Sequence, residues 1–152
     1  MGKEEIMKKT IKLAISTIED GNTPFGAIIT KDGEIIAEAV NEVSSSVDLT
    51  AHAELSAIRK ATKKLGRINL SDCELFASGE PCTMCLTAIY YSGIKKVYVA
   101  YSQEEAALYR IGNSYVHEQI GLPKEKRDLS YIQLRPVDVE HPYKVWDSSN
   151  CK

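Results

Sequence analysis

The chain has 152 residues, of which 43% are hydrophobic and 26% are charged. These values are ordinary for a globular protein, and a chain of this length buries roughly two-thirds of its unfolded surface on folding. The formal net charge of -2 argues against a nucleic-acid partner, because nucleic-acid-binding domains usually carry a basic excess. No apolar run approaches the ~20 residues that span a bilayer, and the charged N-terminus does not resemble a secretory signal. We therefore expect a single cytoplasmic domain over residues 1–152 with no membrane partner.

The first third of the chain predicts a helix followed by a hairpin. Apolar residues recur at helical spacing over residues 4–20, and Gly21 stands where a helix stop belongs. Two apolar runs at 25–30 and 34–40 flank a Lys-Asp-Gly sequence, whose Asp-Gly pair favours a tight turn between strands.

A second helix is expected from about residue 50 to residue 65, after a polar stretch. Its predicted core stripe consists of Ala51, Leu55, Ile58 and Leu65. Five Lys and Arg side chains at positions 59–67 lie opposite this stripe. We interpret them as the solvated face of an amphipathic helix rather than as a surface that binds polyanions.

The remaining segments alternate between strands and helices. In chain order we expect a strand at 74–78, a third helix from Pro81 to about residue 92, a strand at 96–100, short helices at 104–108 and 114–120, a strand at 132–134 and a helix at 143–149. This order predicts an α/β domain with three layers and a mixed central sheet.

The cysteine content points to a metal or redox site rather than to disulfides. Of the four cysteines, Cys73 lies in a predicted strand and is expected to be a buried apolar residue, and Cys151 is expected to be incidental. The close pair of Cys82 and Cys85 is different, because two thiols three residues apart at a helix start lie on one face. Helix N-termini lower thiol pKa values, which favours ligation of a soft cation.

His52 supplies a third ligand for the same cation. It stands at the start of the second predicted helix, so that it and the Cys82/Cys85 pair form a set of one His and two Cys. Such a set leaves the fourth position of tetrahedral zinc open, as in catalytic rather than structural zinc sites. The sequence therefore predicts Zn²⁺ as the cofactor.

Glu54 completes the expected chemistry as a proton carrier. Residues two apart in a regular helix point in nearly opposite directions, so His52 and Glu54 converge only if His52 lies at the irregular first turn. A carboxylate there can take a proton from water and return it to a leaving amine. The combination of H-x-E with P-C-x-x-C is the pattern of zinc deaminases, in which the Glu is catalytic and not a ligand.

Two non-enzymatic interpretations compete with this one. A C-x-x-C pair is also typical of thioredoxin-like redox proteins, and a zinc site can be purely structural. A structural site normally has four protein ligands, and no fourth ligand is evident near the set in the sequence; His117 and His141 are interpreted as surface residues.

At these motifs the chain resembles the cytidine/deoxycytidylate deaminase-like zinc superfamily. Within it, the chain is most similar to small bacterial guanine deaminases, in the segments 23–27, 50–54, 80–85, 88–91, 112–115 and 142–146. The resemblance implies a cytidine-deaminase-like α/β/α fold and hydrolysis of a C–N bond in a cyclic amidine. Guanine would be converted to xanthine and ammonia.

The resemblance also implies a base-binding pocket between the hairpin and the two zinc helices. Asn41 and the backbone of Ala53 would contact the polar edge of the base, and Phe25 and Tyr91 would supply aromatic walls. Asn113 would face the substrate at a position where guanine deaminases typically place an Asp. The alternative for Asn41 is a turn-forming residue, and without the resemblance both aromatic residues would be assigned to the core.

Asn113 leaves the substrate open, because an amide cannot act as an anionic acceptor. The alternative substrates are guanosine, adenine, cytosine or an amino-triazine. A further alternative is that the chain is a tRNA adenosine deaminase, an enzyme that shares both motifs but would need a basic surface. The resemblance also implies a homodimer, and it leaves open whether the C-terminal segments around residues 142–146 are exchanged between the two chains.

Overall fold

The computed structural model describes residues 1–149, so Cys151 lies outside the described residues. The chain forms two compact units, which divide after Gly121. None of the described helices combines the length and apolar character that a membrane span requires. The expectation of a single domain over residues 1–152 stays a prediction.

The first unit consists of a four-stranded sheet and six α-helices within the described chain. The strands are β1 (Gly26–Lys31), β2 (Glu34–Val40), β3 (Cys73–Gly79) and β4 (Lys96–Tyr101). The helices are α1 (Lys3–Ser16), α2 (Val43–Ser46), α3 (Ala53–Leu65), α4 (Thr83–Ser92), α5 (Gln103–Leu108) and α6 (Ser114–Gly121), and a 3-10 turn spans Ile18–Asp20.

The sheet is mixed and has the strand order β2-β1-β3-β4. Strand β1 pairs in antiparallel fashion with β2 and β3, whereas β3 and β4 are parallel and are joined through α4. The β1–β2 hairpin turns at Asp32 and Gly33, whose φ values of 51° and 79° are both positive. A two-residue turn of this kind matches the right-handed twist of the strands, which confirms the predicted hairpin.

Side chains of the sheet alternate between two apolar layers. Ile28 and Phe76 pack with Ile6 of α1 on one face. On the other face, Ala27 and Ile29 belong to a larger cluster with residues of α3 and α4. The predicted three-layer α/β/α arrangement with a mixed sheet is therefore confirmed.

The buried stripe of α3 differs from the predicted one. The buried residues of the helix are Ala53, Glu54, Ala57 and Ala61, whereas Leu55 is only partly buried. The three alanines have no exposed surface. Small side chains let the helix axis approach the sheet closely, and the larger apolar residues then pack at the edges of the contact.

Three local boundaries also differ from the expectations. The first helix ends at Ser16 and continues as a separate 3-10 turn before Gly21, which has a φ of +85°. The polar stretch after β2 contains the short helix α2. Helix α4 begins at Thr83, so Pro81 precedes the helix instead of occupying its first turn.

The second unit contains a 3-10 turn at Lys124–Lys126 and the helix α7 (Pro142–Ser149). The strand predicted at 132–134 is wrong, because no described residue after Tyr101 belongs to a strand. Ile132 and Leu134 are 84% and 89% exposed. Alternation of apolar and polar residues makes a strand only when a partner strand supplies the hydrogen bonds.

Candidate active site

The two helices that carry the predicted metal ligands begin in the same way. His52 is the N-cap of α3 and Cys82 is the N-cap of α4, and both have extended backbone, with ψ values of 152° and 172°. Because an N-cap residue lies outside the regular helix, its side chain can turn toward the exposed first-turn N–H groups. Cys85 follows in the first turn of α4 and is fully buried.

The three side chains form a metal-binding geometry. One ligand atom of each of His52, Cys82 and Cys85 lies within 4.8 Å of the other two. The His52 Nδ1 and Cys82 Sγ atoms are 3.5 Å apart. A tetrahedral zinc ion, with Zn–S of about 2.3 Å and Zn–N of about 2.0–2.1 Å, would place such a pair about 3.5 Å apart. The donor set therefore fits zinc, with one coordination position left for a non-protein ligand.

The electrostatics of the two thiols favour a thiolate. The Cys85 thiol donates toward the Cys82 sulfur and, together with His52, lowers the pKa of Cys82 to about 4. The same interaction, added to burial, raises the pKa of Cys85. Because zinc binds thiolates, ligation of the metal by both sulfurs releases the thiol protons that remain.

Glu54 lies beside this set, in the first turn of α3. Glu54 is 4% exposed, and burial raises the pKa of its carboxyl group. His52 and Glu54 converge because His52 is the N-cap, which is the arrangement that the sequence required. A carboxyl group whose pKa is raised by burial can both accept and return a proton near neutral pH.

A cavity of about 290 Å³ opens directly onto these residues. Its size lies near the lower end of ligand pockets, which suits a small molecule. Besides His52, Glu54 and Cys82, the residues that line it are Thr23, Phe25, Asn41, Val43, Ser44, Ala53, Glu80, Ser102, Gln103, Ala106, Arg110, Ile111, Gly112 and Asn113.

Asn41 combines the two roles that the sequence left open. Its Oδ1 atom accepts a hydrogen bond of 3.0 Å from the Val43 N–H, as in an Asx turn, and its Nδ2 group donates to Thr23. The side chain is 5% exposed and lines the cavity. The oxygen retains a second lone pair, which is the acceptor that Asn41 can offer to a ligand.

Phe25 lines the cavity because Gly79 leaves room for its ring. A Cβ atom placed on Gly79 would lie 2.8 Å from Cε1 and 3.0 Å from Cδ1 of Phe25. Contacts this short are repulsive, so any side chain at position 79 would displace the ring. Gly79 ends β3 immediately before the segment that carries the metal-binding cysteines.

The structure brings four of the five predicted substrate residues to the cavity. Ala53 and Asn113 line it together with Phe25 and Asn41. Tyr91 is not among the lining residues within the described chain; it is 84% exposed on α4. The buried face of α4 contains Cys85, Ile89 and Ser92 instead, which directs Tyr91 outward.

The sequence did not identify several polar lining residues, among them Glu80, Gln103 and Arg110. No sequence signal points to Arg110, whose backbone has a positive φ of 62° that only the structure reveals. The other two are ordinary polar residues whose role depends on how α5 lies against the metal-binding segment.

The family "Cytidine and deoxycytidylate deaminase zinc-binding region" matches residues 1–101 of the chain. The chain belongs to this family. It is a hydrolytic deaminase that acts on a C–N bond, and zinc is its metal. The matched region includes both halves of the metal site and ends with the last residue of β4.

Individual relatives extend this finding beyond the zinc region. A guanine deaminase of Bacillus subtilis is 42% identical over 147 residues, covering 96% of this chain and 94% of the relative. Its crystal structure superposes with a TM-score of 0.91 and covers 97% of this chain and 95% of that one. A tRNA-specific adenosine deaminase of Aquifex aeolicus is 46% identical, but over 97 residues, which is 64% of each chain.

Proposed function

We propose that this deaminase converts guanine and water to xanthine and ammonia. The observation that carries the proposal is the extent of the similarity to the Bacillus subtilis guanine deaminase, which covers 96% of the chain. The tRNA-specific deaminase of Aquifex aeolicus is similar over only 64% of the chain. The net charge of -2 also favours a small-molecule substrate over tRNA, since phosphate contacts require a basic surface.

In this proposal His52, Cys82 and Cys85 hold the zinc ion at the floor of the cavity. Bound zinc would supply a Lewis acid that makes water nucleophilic at neutral pH. His52, Cys82 and Glu54 line the cavity, so that water and base would meet beside the metal there. Asn41 and the backbone of Ala53 orient the polar edge of the base, and Phe25 supplies an aromatic wall.

Glu54 moves both protons of the reaction. It takes one proton from the attacking water and places it on the ring nitrogen next to C2 of guanine. It then takes the second proton from the hydroxyl group now bonded to C2 and passes it to the exocyclic amine. The C2–N bond breaks, and ammonia leaves as the C2–O bond becomes a carbonyl. The burial of Glu54 suits this role, because the raised pKa makes the carboxylate a stronger base toward water.

The Asn113 side chain is uncharged, so it adds no negative charge to the substrate side of the cavity, as an Asp at this position would. An amide can donate and accept, whereas a carboxylate only accepts. Guanine presents N–H donors along one edge, so Asn113 would accept through its carbonyl oxygen. Aminobases with an acceptor at the same edge would be tolerated by the amide NH₂ group, which makes them the natural competitors of guanine.

Ammonia release from zinc-loaded protein tests the proposal over a panel of guanine, guanosine, adenine, cytosine, cytidine, an amino-triazine and tRNA. We expect turnover of guanine, with the Glu54→Gln protein as the blank. Turnover of another member with guanine inert would contradict the proposed substrate and retain the deaminase chemistry.

We further propose a homodimer in which the C-terminal segments are exchanged. In the second unit, no residue between 122 and 149 is buried, although the segment contains several large apolar side chains. These are Leu129, Tyr131, Ile132, Leu134, Val137, Val139, Tyr143 and Trp146. Apolar surface of this kind is typical of an interface. Sedimentation equilibrium tests the proposal, and a monomer at micromolar concentration would contradict it.

A cytoplasmic location is part of the same proposal. Cys73, Cys82 and Cys85 are free thiols, and the metal site requires the latter two to stay reduced. Such thiols persist in a reducing compartment. Fractionation of cells with an antibody against the chain tests this location.

A further inference from the structure

The segment that carries α5 and α6 forms one wall of the cavity without a buried residue in either helix. Ala106, Arg110, Ile111 and Asn113 of this segment all line the cavity. Asn113 itself is exposed, and it directly precedes α6. Because apolar burial is small here, we expect polar contacts to contribute to the position of the wall.

Gln103, the first residue of α5, makes three such contacts. Its backbone N–H donates to Glu80 Oε1 at 3.1 Å. Its side-chain Nε2 group donates to the carbonyl oxygen of Pro81 at 3.3 Å and lies 2.9 Å from His117 Nε2. Pro81 is the residue before the metal-binding Cys82, so Gln103 connects the wall to the metal site.

The roles of donor and acceptor in this network are determined by chemistry. The Pro81 carbonyl can only accept, so the Gln103 amide must direct its NH₂ group there. A flipped amide would place the Gln103 side-chain oxygen against the Pro81 carbonyl oxygen, which is repulsive. The second hydrogen of the same NH₂ group then meets His117 Nε2, which must accept. With the amide in this orientation, His117 Nε2 is the acceptor of the contact.

His117 transmits this contact to the substrate side of the cavity. Its backbone N–H donates to the Asn113 carbonyl oxygen at 3.1 Å, in the first turn of α6. The network thus runs from Pro81 through the Gln103 amide and His117 to Asn113. Each link is a hydrogen bond within the first unit of the structure.

We propose that Gln103 is a positioning residue that, through His117, holds Asn113 over the cavity and so determines the affinity for the base. The proposal rests on the proposed function in one respect, that Asn113 faces the substrate. Gln103 has no part in the proton transfers, so its loss weakens binding and leaves the chemical step intact.

Variants of both partners test the proposal through kcat and KM for guanine. We expect Gln103→Leu and His117→Leu to raise KM about tenfold, with kcat changed less than about twofold. Each variant leaves the other member of the hydrogen-bonded pair without its partner, and a loss of this size is typical of that change. His117→Gln retains an acceptor for the Gln103 amide and should restore KM to within about threefold of the original value. Glu104→Leu is the control, since Glu104 is exposed and adjacent to Gln103.

A double-mutant cycle with Asn113→Ala shows whether Gln103 acts through Asn113. If it does, Gln103→Leu raises KM less than about twofold in the Asn113→Ala background. Independent, multiplicative effects of the two changes would overturn the proposal. So would a fall in kcat at unchanged KM, or equal effects of His117→Gln and His117→Leu.

Hydrogen exchange keeps this test separate from the identity of the substrate. In protein without a base, Gln103→Leu should speed amide exchange at residues 106–117 and leave α3 and α4 unchanged. If guanine is inert and another base of the panel is turned over, the proposed substrate fails and the KM series is measured with that base. Unchanged exchange at residues 106–117 would overturn the positioning role whatever the substrate.

Discussion

The start of α3 and the segment of α5 and α6 line the same cavity, but different interactions stabilise them. Ala53 and Ala57 of α3 have no exposed surface, and Glu54 is 4% exposed. Neither α5 nor α6 has a buried residue. The α3 side of the cavity (the core side) is thus continuous with the core, whereas the α5–α6 side, which is the substrate side in the proposed function, has little burial. On the proposed function, we expect that reaction type and substrate affinity can change independently in this protein.

The largest expected effect is loss of the metal on the core side. Cys85→Ser removes one of three ligands, and serine is a poor ligand for zinc, so zinc content and turnover should both be lost. Even the loss of a residue that hydrogen-bonds to a metal ligand lowers metal affinity or activity about 10–100-fold in such sites. Metal analysis and ammonia release check this result. Cys73→Ser is the control, because Cys73 is also buried but lies outside the metal set, and it should retain zinc.

A pair of substitutions compares the packing of the two sides. Ala57→Leu forces added volume between α3 and the sheet and should lower the free energy of unfolding by about 1–3 kcal/mol. Val116→Ala in α6 should change it by less than about 0.5 kcal/mol, because Val116 is 46% exposed. Urea unfolding measures both. Equal losses would show that α6 is packed as tightly as α3.

Gly79→Ala should affect the cavity through Phe25. The new Cβ displaces the Phe25 ring, and we expect KM for the base to rise about three- to tenfold, which corresponds to roughly 1 kcal/mol. The effect should disappear in a Phe25→Leu background, because no ring then remains to be displaced. A persistent effect in that background would mean that Gly79 acts on the backbone of β3 and not on the aromatic wall.

The smallest expected effect is the pH dependence of a surface pair. The Arg67 guanidinium donates to both oxygens of Asp72, at 2.7 and 2.9 Å, and lowers the pKa of Asp72 below its usual 3.8. The folded state therefore binds this proton less tightly than the unfolded state. The stabilisation is present above the unfolded pKa and is lost as pH falls through the folded value. Thermal unfolding of Asp72→Asn and the parent should differ slightly at pH 7 and converge at acid pH.

The sequence predicted the core side of the cavity well because local rules determine it. The Asp-Gly turn defined the hairpin, and the H-x-E and P-C-x-x-C patterns placed His52 and Glu54 at one helix start and the cysteines at another. The requirement that His52 and Glu54 converge even predicted that His52 lies at the irregular first turn. Each of these features depends on residues close together in the chain.

The substrate side could not be predicted in the same way. Gln103, Glu80 and His117 are ordinary polar residues, and their network exists only because α5 and α6 come to lie beside the residue before Cys82. Tyr91 was expected at the cavity on the strength of resemblance, but its exposure depends on which face of α4 meets the core. The strand expected at 132–134 failed for a related reason, since a strand needs a partner that local sequence does not reveal.

The most direct test of the central claim is guanine turnover by zinc-loaded Glu54→Gln beside the parent protein and Glu34→Gln, an exposed control at the hairpin. We expect a fall in kcat of about 10²–10⁴-fold, the range for loss of a general acid–base group. Zinc content should stay at one ion per chain, and Glu34→Gln should match the parent. Retained turnover in Glu54→Gln would contradict the role of Glu54 as the proton carrier and with it the proposed mechanism.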